Sequence, residues 1–120
     1  MSKIKESSTN FANKQALMEE CSEVYAANII GGQWGLVICS WLLNGKLRFS
    51  ELKKLLPTIT ERMLTLQLRK LEENKIVKRT VYAEVPPRVE YELTEIGYDL
   101  GPVIKLLEKW GEKHKRFKEV

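Results

Sequence analysis

The side chains able to do chemistry are few in this 120-residue sequence, and their types narrow the choice at once. One histidine, His114, and two cysteines, Cys21 and Cys39, make no zinc-ligand spacing. There is no Ser/His/Asp or Cys/His set, no glycine-rich phosphate loop and no convergent carboxylate pair among the motifs. The sequence therefore predicts no catalytic residues, no metal, no cofactor and no enzyme. What remains is positive charge. From Lys46 to Arg79 there are ten basic residues against four acidic ones, while the rest of the chain has ten against twelve. A basic middle between near-neutral flanks predicts a localised anion-binding face, and the plain alternative is a solvated helical surface. Within the basic stretch Arg62 carries the most specific chemistry, because a guanidinium pairs bidentately with guanine O6 and N7 or with phosphate.

These groups need elements to hold them. Residues 1–12 are polar and read as a flexible arm, the segment 13–117 as the folded domain and 118–120 as a tail. Leu17, Cys21 and Val24 recur at i, i+4, i+7, which predicts one amphipathic helix over about Asn13 to Asn28, stopped by Gly31-Gly32. A second helix, Trp34 to Leu43, is apolar nearly all round and reads as central and buried, with Asn44-Gly45 ending it. Leu47-Arg48-Phe49 is a short extended link. Ser50 is expected to cap a short helix to Leu56, closed by Pro57.

Thr58 or Thr60 caps the next helix, which ends near Glu73. Leu64, Leu68 and Leu71 form its inner stripe. Thr60, Glu61, Arg62, Thr65, Gln67 and Arg69 are assigned to its outward, polar side and are the candidate contacts to a polyanion. Ile76 to Ala83 reads as a strand, and Val89, Tyr91 and Leu93 alternate with Arg88, Glu90 and Glu92 in a clear period of two. Glu84-Val85-Pro86-Pro87 joins the strands as a stiff tip. Lys78, Arg79 and Arg88 lie on or near this hairpin, able to follow a nucleic-acid backbone unless the hairpin is a plain structural ribbon.

A last helix opens at Thr94-Glu95 and carries a stripe of Ile96, Leu100, Val103, Ile104, Leu107 and Trp110, with Pro102 marking a kink or a late start. The stripe is too long for so small a domain to bury alone. Pairing with the first helix of a second copy is the expectation, with Leu17, Val24, Leu100, Val103, Ile104, Leu107 and Trp110 in the dimer interface. Short helix, turn, polar-faced helix and β-hairpin is the order of a winged helix-turn-helix, mainly α with a small β-hairpin (α+β), flanked here by N- and C-terminal dimerisation helices.

Composition agrees with a globular chain: 43% apolar and 30% charged residues, with a net charge of +4. No apolar run reaches the ~18 residues of a membrane span, and the N-terminus lacks the apolar core of a secretory signal. Two cysteines are too few for a disulfide scaffold, so a reducing cytoplasm is the expected setting.

Several motifs together carry a resemblance: Ile30-Gly31-Gly32-Gln33-Trp34, Arg48-Phe49-Ser50-Glu51-Leu52, Met63-Leu64-Thr65-Leu66-Gln67-Leu68, Val85-Pro86-Pro87-Arg88-Val89-Glu90-Tyr91, Leu93-Thr94-Glu95-Ile96-Gly97 and Trp110-Gly111. In this order and spacing they resemble the HxlR-type bacterial transcription regulators, related to the MarR type. The resemblance runs from Cys21 to about Gly111. It implies a homodimeric winged helix-turn-helix protein that binds a pseudo-palindromic DNA operator, as a repressor in the reading preferred. Departures from the pattern are Ser22 where proline is common, Gln33 where lysine is usual, and Asn74-Lys75 where Asp-Gly is usual. Asn74 is expected to take the left-handed cap.

The resemblance also implies a role for Cys21, since a cysteine thirteen residues before the tryptophan of Gly-Gly-x-Trp is often the redox or electrophile sensor. Two readings stay open: a sensor thiol, or a small buried packing residue beside Glu19, Glu20 and Glu23, whose charges raise its pKa. The rival mode of control is a small-molecule effector near the dimer interface, and a winged helix used only for protein contact is a further alternative. Cys39 reads as inert core.

Overall fold

Leu64, Leu68 and Leu71 are almost completely shielded from solvent, and everything else in the fold is arranged around that stripe. The computed structural model describes residues 12–119. The elements are α1 (residues 12–20), α2 (Ser22–Ile30), α3 (Gly32–Leu42), β1 (Leu47–Arg48), α4 (Phe49–Leu55), α5 (Glu61–Glu73), β2 (Val77–Tyr82), β3 (Arg88–Leu93), α6 (Glu95–Tyr98) and α7 (Leu100–Glu119). The predicted arm lies almost wholly outside the described residues, and α7 runs through the predicted domain end at 117.

The strands form a three-stranded antiparallel sheet in the order β1-β3-β2. The sequence predicts only the hairpin; the link Leu47-Arg48 adds an edge strand, with Leu47 opposite Tyr91 and Arg48 opposite Glu90. Register places Val77 against Leu93 and Arg79 against Tyr91 on one face, Lys78 against Glu92 and Tyr82 against Arg88 on the other. The first face closes the core, where Ile38, Cys39, Leu42, Leu52, Val77, Tyr91 and Leu93 meet the α5 stripe. Each fully buried leucine there contributes about 1.5–3 kcal/mol of transfer free energy.

Local signals explain most boundaries. Gly31 ends α2 in the left-handed conformation at φ 80°, and a Cβ on Gly35 would run into the Ile30 carbonyl, so α3 can fold back closely on α2. Thr94 ties three elements together. Its hydroxyl donates to the Lys75 carbonyl at 2.6 Å, and its oxygen accepts from the Gly97 N–H at 3.2 Å to cap α6. Pro102 stands in the first turn of α7, where a proline needs no helical N–H partner. The late start is therefore the outcome, not a kink in a longer helix.

Three local expectations are corrected, and one choice left open between two threonines is decided. The predicted first helix is two helices, because Cys21 at φ −124° and ψ 101° leaves helical space and becomes the N-cap of α2. Arg48, not Ser50, precedes the first helical residue of α4; the Glu51 carboxylate reaches back and accepts its N–H at 2.9 Å. Thr60 rather than Thr58 caps α5, accepting the Met63 N–H at 3.1 Å, an interaction worth about 1 kcal/mol. At the other end of α5 Lys75, not Asn74, takes the left-handed conformation, at φ 61°. The Ile76 N–H then bonds back to the Leu71 carbonyl and the Lys75 N–H to the Glu72 carbonyl, closing the turn between two buried apolar residues.

Candidate nucleic-acid interface

α4, the turn through Pro57 and Ile59, and α5 form a helix-turn-helix, with the β2–β3 hairpin beside it as the wing. The stripe Leu64–Leu68–Leu71 seats α5 in the core and so decides what the helix offers outward. At 100° per residue the line opposite the stripe is Arg62, Leu66, Arg69 and Glu73. Arg62 and Arg69 are exposed, and neither forms an ion pair among the described residues. Thr60 and Glu61 are exposed at the N-terminal end, where the free N–H groups and the helix dipole favour an anion.

Two predicted contacts sit differently. The Thr65 hydroxyl is half-buried and donates to the Glu61 carbonyl at 2.9 Å. Gln67 is turned into the body of the protein and is removed from the outward set. Its Oε1 is fully covered with no hydrogen-bond partner and lies against Gly31, while Nε2 faces the Met63 sulfur at 3.7 Å. The reason is angular: position 67 falls beside the buried line, not opposite it. Leu66, by contrast, is 49% exposed on the outward line, although it is not among the candidates drawn from the sequence. The signal for it is the i, i+4, i+7 spacing from Arg62 through Leu66 to Arg69.

On the wing, Arg88 is held in contacts of its own. The Arg88 guanidinium lies 4.0 Å over the Tyr82 ring and 3.3 Å from the Glu84 carboxylate, and its Nε is covered without a partner. Lys46 pairs with Glu90 at 3.7 Å, and Lys78 stands opposite Glu92 in the register. Arg79 is exposed. The tip itself is apolar, with Val85 fully exposed beside Pro86 and Pro87.

Cys21 lies half-buried at the α1–α2 break, its Sγ donating to Glu23 Oε1 at 2.7 Å. That hydrogen bond, followed by burial, raises the thiol pKa above its ordinary value. Cys39 is buried in α3, and desolvation pushes it up to about 11. No group of three metal-ligating side chains occurs among the described residues. No helix there is long and apolar enough to cross a membrane.

Of the predicted interface residues, Leu17, Val103, Leu107 and Trp110 are exposed, whereas Val24 and Leu100 are half-buried. Ile104 is corrected: at 9% exposure it belongs to the protomer's own core, pointing toward α3. Leu106 and Phe117 extend the exposed apolar line of α7, with His114 stacked on Trp110 at 5.1 Å and tilted toward Phe117 at 6.1 Å. The stripe read from the sequence ends at Trp110 because the last residues are charge-rich.

A winged helix-turn-helix whose recognition helix turns two arginines outward defines the class of DNA-binding transcriptional regulators. The chain belongs to the HxlR-like helix-turn-helix family, whose model matches residues 29–119. It is 52% identical over 97 residues to the uncharacterized HTH-type transcriptional regulator YdeP of Bacillus subtilis (strain 168), covering 81% of this chain and 76% of that one. Among solved structures it is similar to the redox regulator HypR in its reduced form, at 45% identity and a TM-score of 0.75, covering 79% of this chain and 94% of that one. The diamide-treated YodB of B. subtilis is 35% identical with a TM-score of 0.67, covering 78% and 93%.

Proposed function

We propose that this regulator acts as a homodimeric repressor in the cytoplasm, binding a pseudo-palindromic operator through α5 of each copy. The observation that carries the reading is the exposed Arg62, without an ion pair among the described residues, at the N-terminal end of a helix seated by three buried leucines. The exposed α7 line of Val103, Leu106, Leu107, Trp110 and Phe117 supports the dimer, since an apolar stripe of that length is costly to leave in water. A two-fold axis would set the recognition helices about 34 Å apart, one turn of DNA. Sedimentation at micromolar concentration should show a dimer, and titration with duplexes selected from a random pool should show binding that weakens steeply with salt. A monomer, or binding indifferent to salt, overturns the reading.

Control of this activity through Cys21 is the second part of the proposal. HypR is described as a redox regulator, and diamide was the reagent applied to YodB. Two Cys21 thiols of a dimer can pass two electrons to diamide, which takes up their two protons and becomes the hydrazine, leaving a disulfide between the copies. Because Glu23 holds the thiol protonated, the reaction should quicken as pH rises. Diamide should change operator affinity in the wild type and not in Cys21→Ser. An equal response in both proteins, or none in either, assigns Cys21 to packing and favours a small-molecule effector.

A further inference from the structure

Leu66 is the one large apolar side chain on the outward line of α5, half exposed between Arg62 one turn before it and Arg69 one turn after. Among the described residues about half of it stays open to solvent. A second copy packing on this line would bring Arg62 and Arg69 of each chain against their counterparts, which like-charge repulsion opposes. The surrounding charge instead suits a polyanion. In the major groove of a duplex one apolar group is presented at base edges, the C5-methyl of thymine.

The geometry points to Leu66 as a specificity residue that reads thymine: its side chain packs on a thymine C5-methyl in each half-site, while Arg62 and Arg69 meet the polar edges or phosphates on either side. This rests on the DNA-binding reading above and adds the base that the helix centre selects. Arg62 lies at the second helical position and Leu66 one turn deeper, so the selected thymine is near the middle of each half-site.

The test uses the full chain and duplexes selected from a random-sequence pool. The selected duplex is resynthesised with deoxyuridine in place of thymidine at each position in turn, which removes the methyl and leaves every Watson–Crick hydrogen bond. At one position per half-site the wild type should bind about fourfold more weakly, the equivalent of the ~0.8 kcal/mol of one buried methyl-sized group. Substitution in both half-sites should cost about sixteenfold. Leu66→Ala should bind both duplexes equally and keep the wild-type salt slope, since every cation stays in place. Leu66 is exposed and alanine favours the helix, so folding should be unaffected; Leu66→Gln serves as a second variant. Equal wild-type affinity for every uracil-substituted duplex overturns the assignment and leaves DNA binding intact. Retained discrimination in both variants overturns it as well. Failure of the pool to yield any preferred sequence removes the DNA reading and this inference together.

Discussion

The recognition helix and the wing carry equal numbers of cations, but only the wing ties one of them, Arg88, into contacts of its own. On α5, Arg62 and Arg69 face outward without carboxylate partners among the described residues, and Lys70 stands beside Gly31. On the wing, Arg88 is held by Tyr82 and Glu84, while Lys78, opposite Glu92 in the register, and Arg79 are exposed and form no ion pair among the described residues. The difference follows from the two kinds of element. A helix seated by one apolar stripe turns its far side away from the rest of the chain. A strand sets each side chain about 5 Å from a cross-strand neighbour, so Arg88 and Tyr82, opposite each other in the register, meet. Positive charge counted along the chain therefore overstates what the wing can offer a phosphate.

Unseating α5 should have the largest effect. Leu64 is wholly buried, and Leu64→Ala should lower the unfolding free energy by about 2–5 kcal/mol, read from urea denaturation. Val81, half exposed on the wing, should tolerate the same truncation within about 0.5 kcal/mol. Equal losses would mean that the two elements are anchored alike.

Affinity should separate the two regions next. Arg62→Ala should cost about 1–3 kcal/mol on a selected duplex and relax sequence preference, because the side chain is free to pair with a base. Arg88→Ala should weaken binding less and uniformly across sequences, shallowing the salt slope by about one unit for each phosphate that the guanidinium neutralises in the wild type. If Arg62→Ala binds the selected duplex as tightly as the wild type, α5 is not the reading element.

Much of this arrangement is legible in the sequence because the signals are local and periodic. The leucine stripe of α5, the Pro-Pro tip and the alternation of Val89, Tyr91 and Leu93 each record one element's own geometry. Contacts between elements are not legible there. The stacking of Arg88 on Tyr82 depends on hairpin register, and the covering of Gln67 depends on how closely Gly31 approaches α5. The break at Cys21 interrupts a stripe whose spacing is that of one continuous helix, so periodicity could not reveal it. Lys75 likewise required tertiary knowledge, since the left-handed position is expected one residue earlier.

Lys75 also joins the two regions, and its backbone supplies a smaller test. A non-glycine residue at φ 61° gives up about 1–2 kcal/mol, and glycine removes that cost while adding freedom to the unfolded chain. Lys75→Gly should therefore raise stability by about 0.5–1 kcal/mol in urea melts, with α5 and the wing kept in place. A drop in stability would show that the lysine side chain holds the junction.

The smallest expected effect is also the one that most sharpens the contrast. Glu84→Gln keeps the size of the side chain and removes the charge that holds Arg88 at the wing tip. Glu84 is half exposed at 52% and Arg88 less so at 29%, so stability should change by no more than about 1 kcal/mol. The guanidinium keeps its stacking on Tyr82 but gains freedom to turn toward a phosphate. Binding to any duplex should then tighten modestly, and the salt slope should steepen by up to about one unit per protomer. The preferred sequence should not move, because the reading side chains of α5 are untouched. An unchanged slope would mean that the wing supports the helix without touching the backbone, and that the phosphates are met from elsewhere in the basic stretch. A shift in preferred sequence would mean that Arg88 reads bases, and the division between a reading helix and a backbone-following wing would fall.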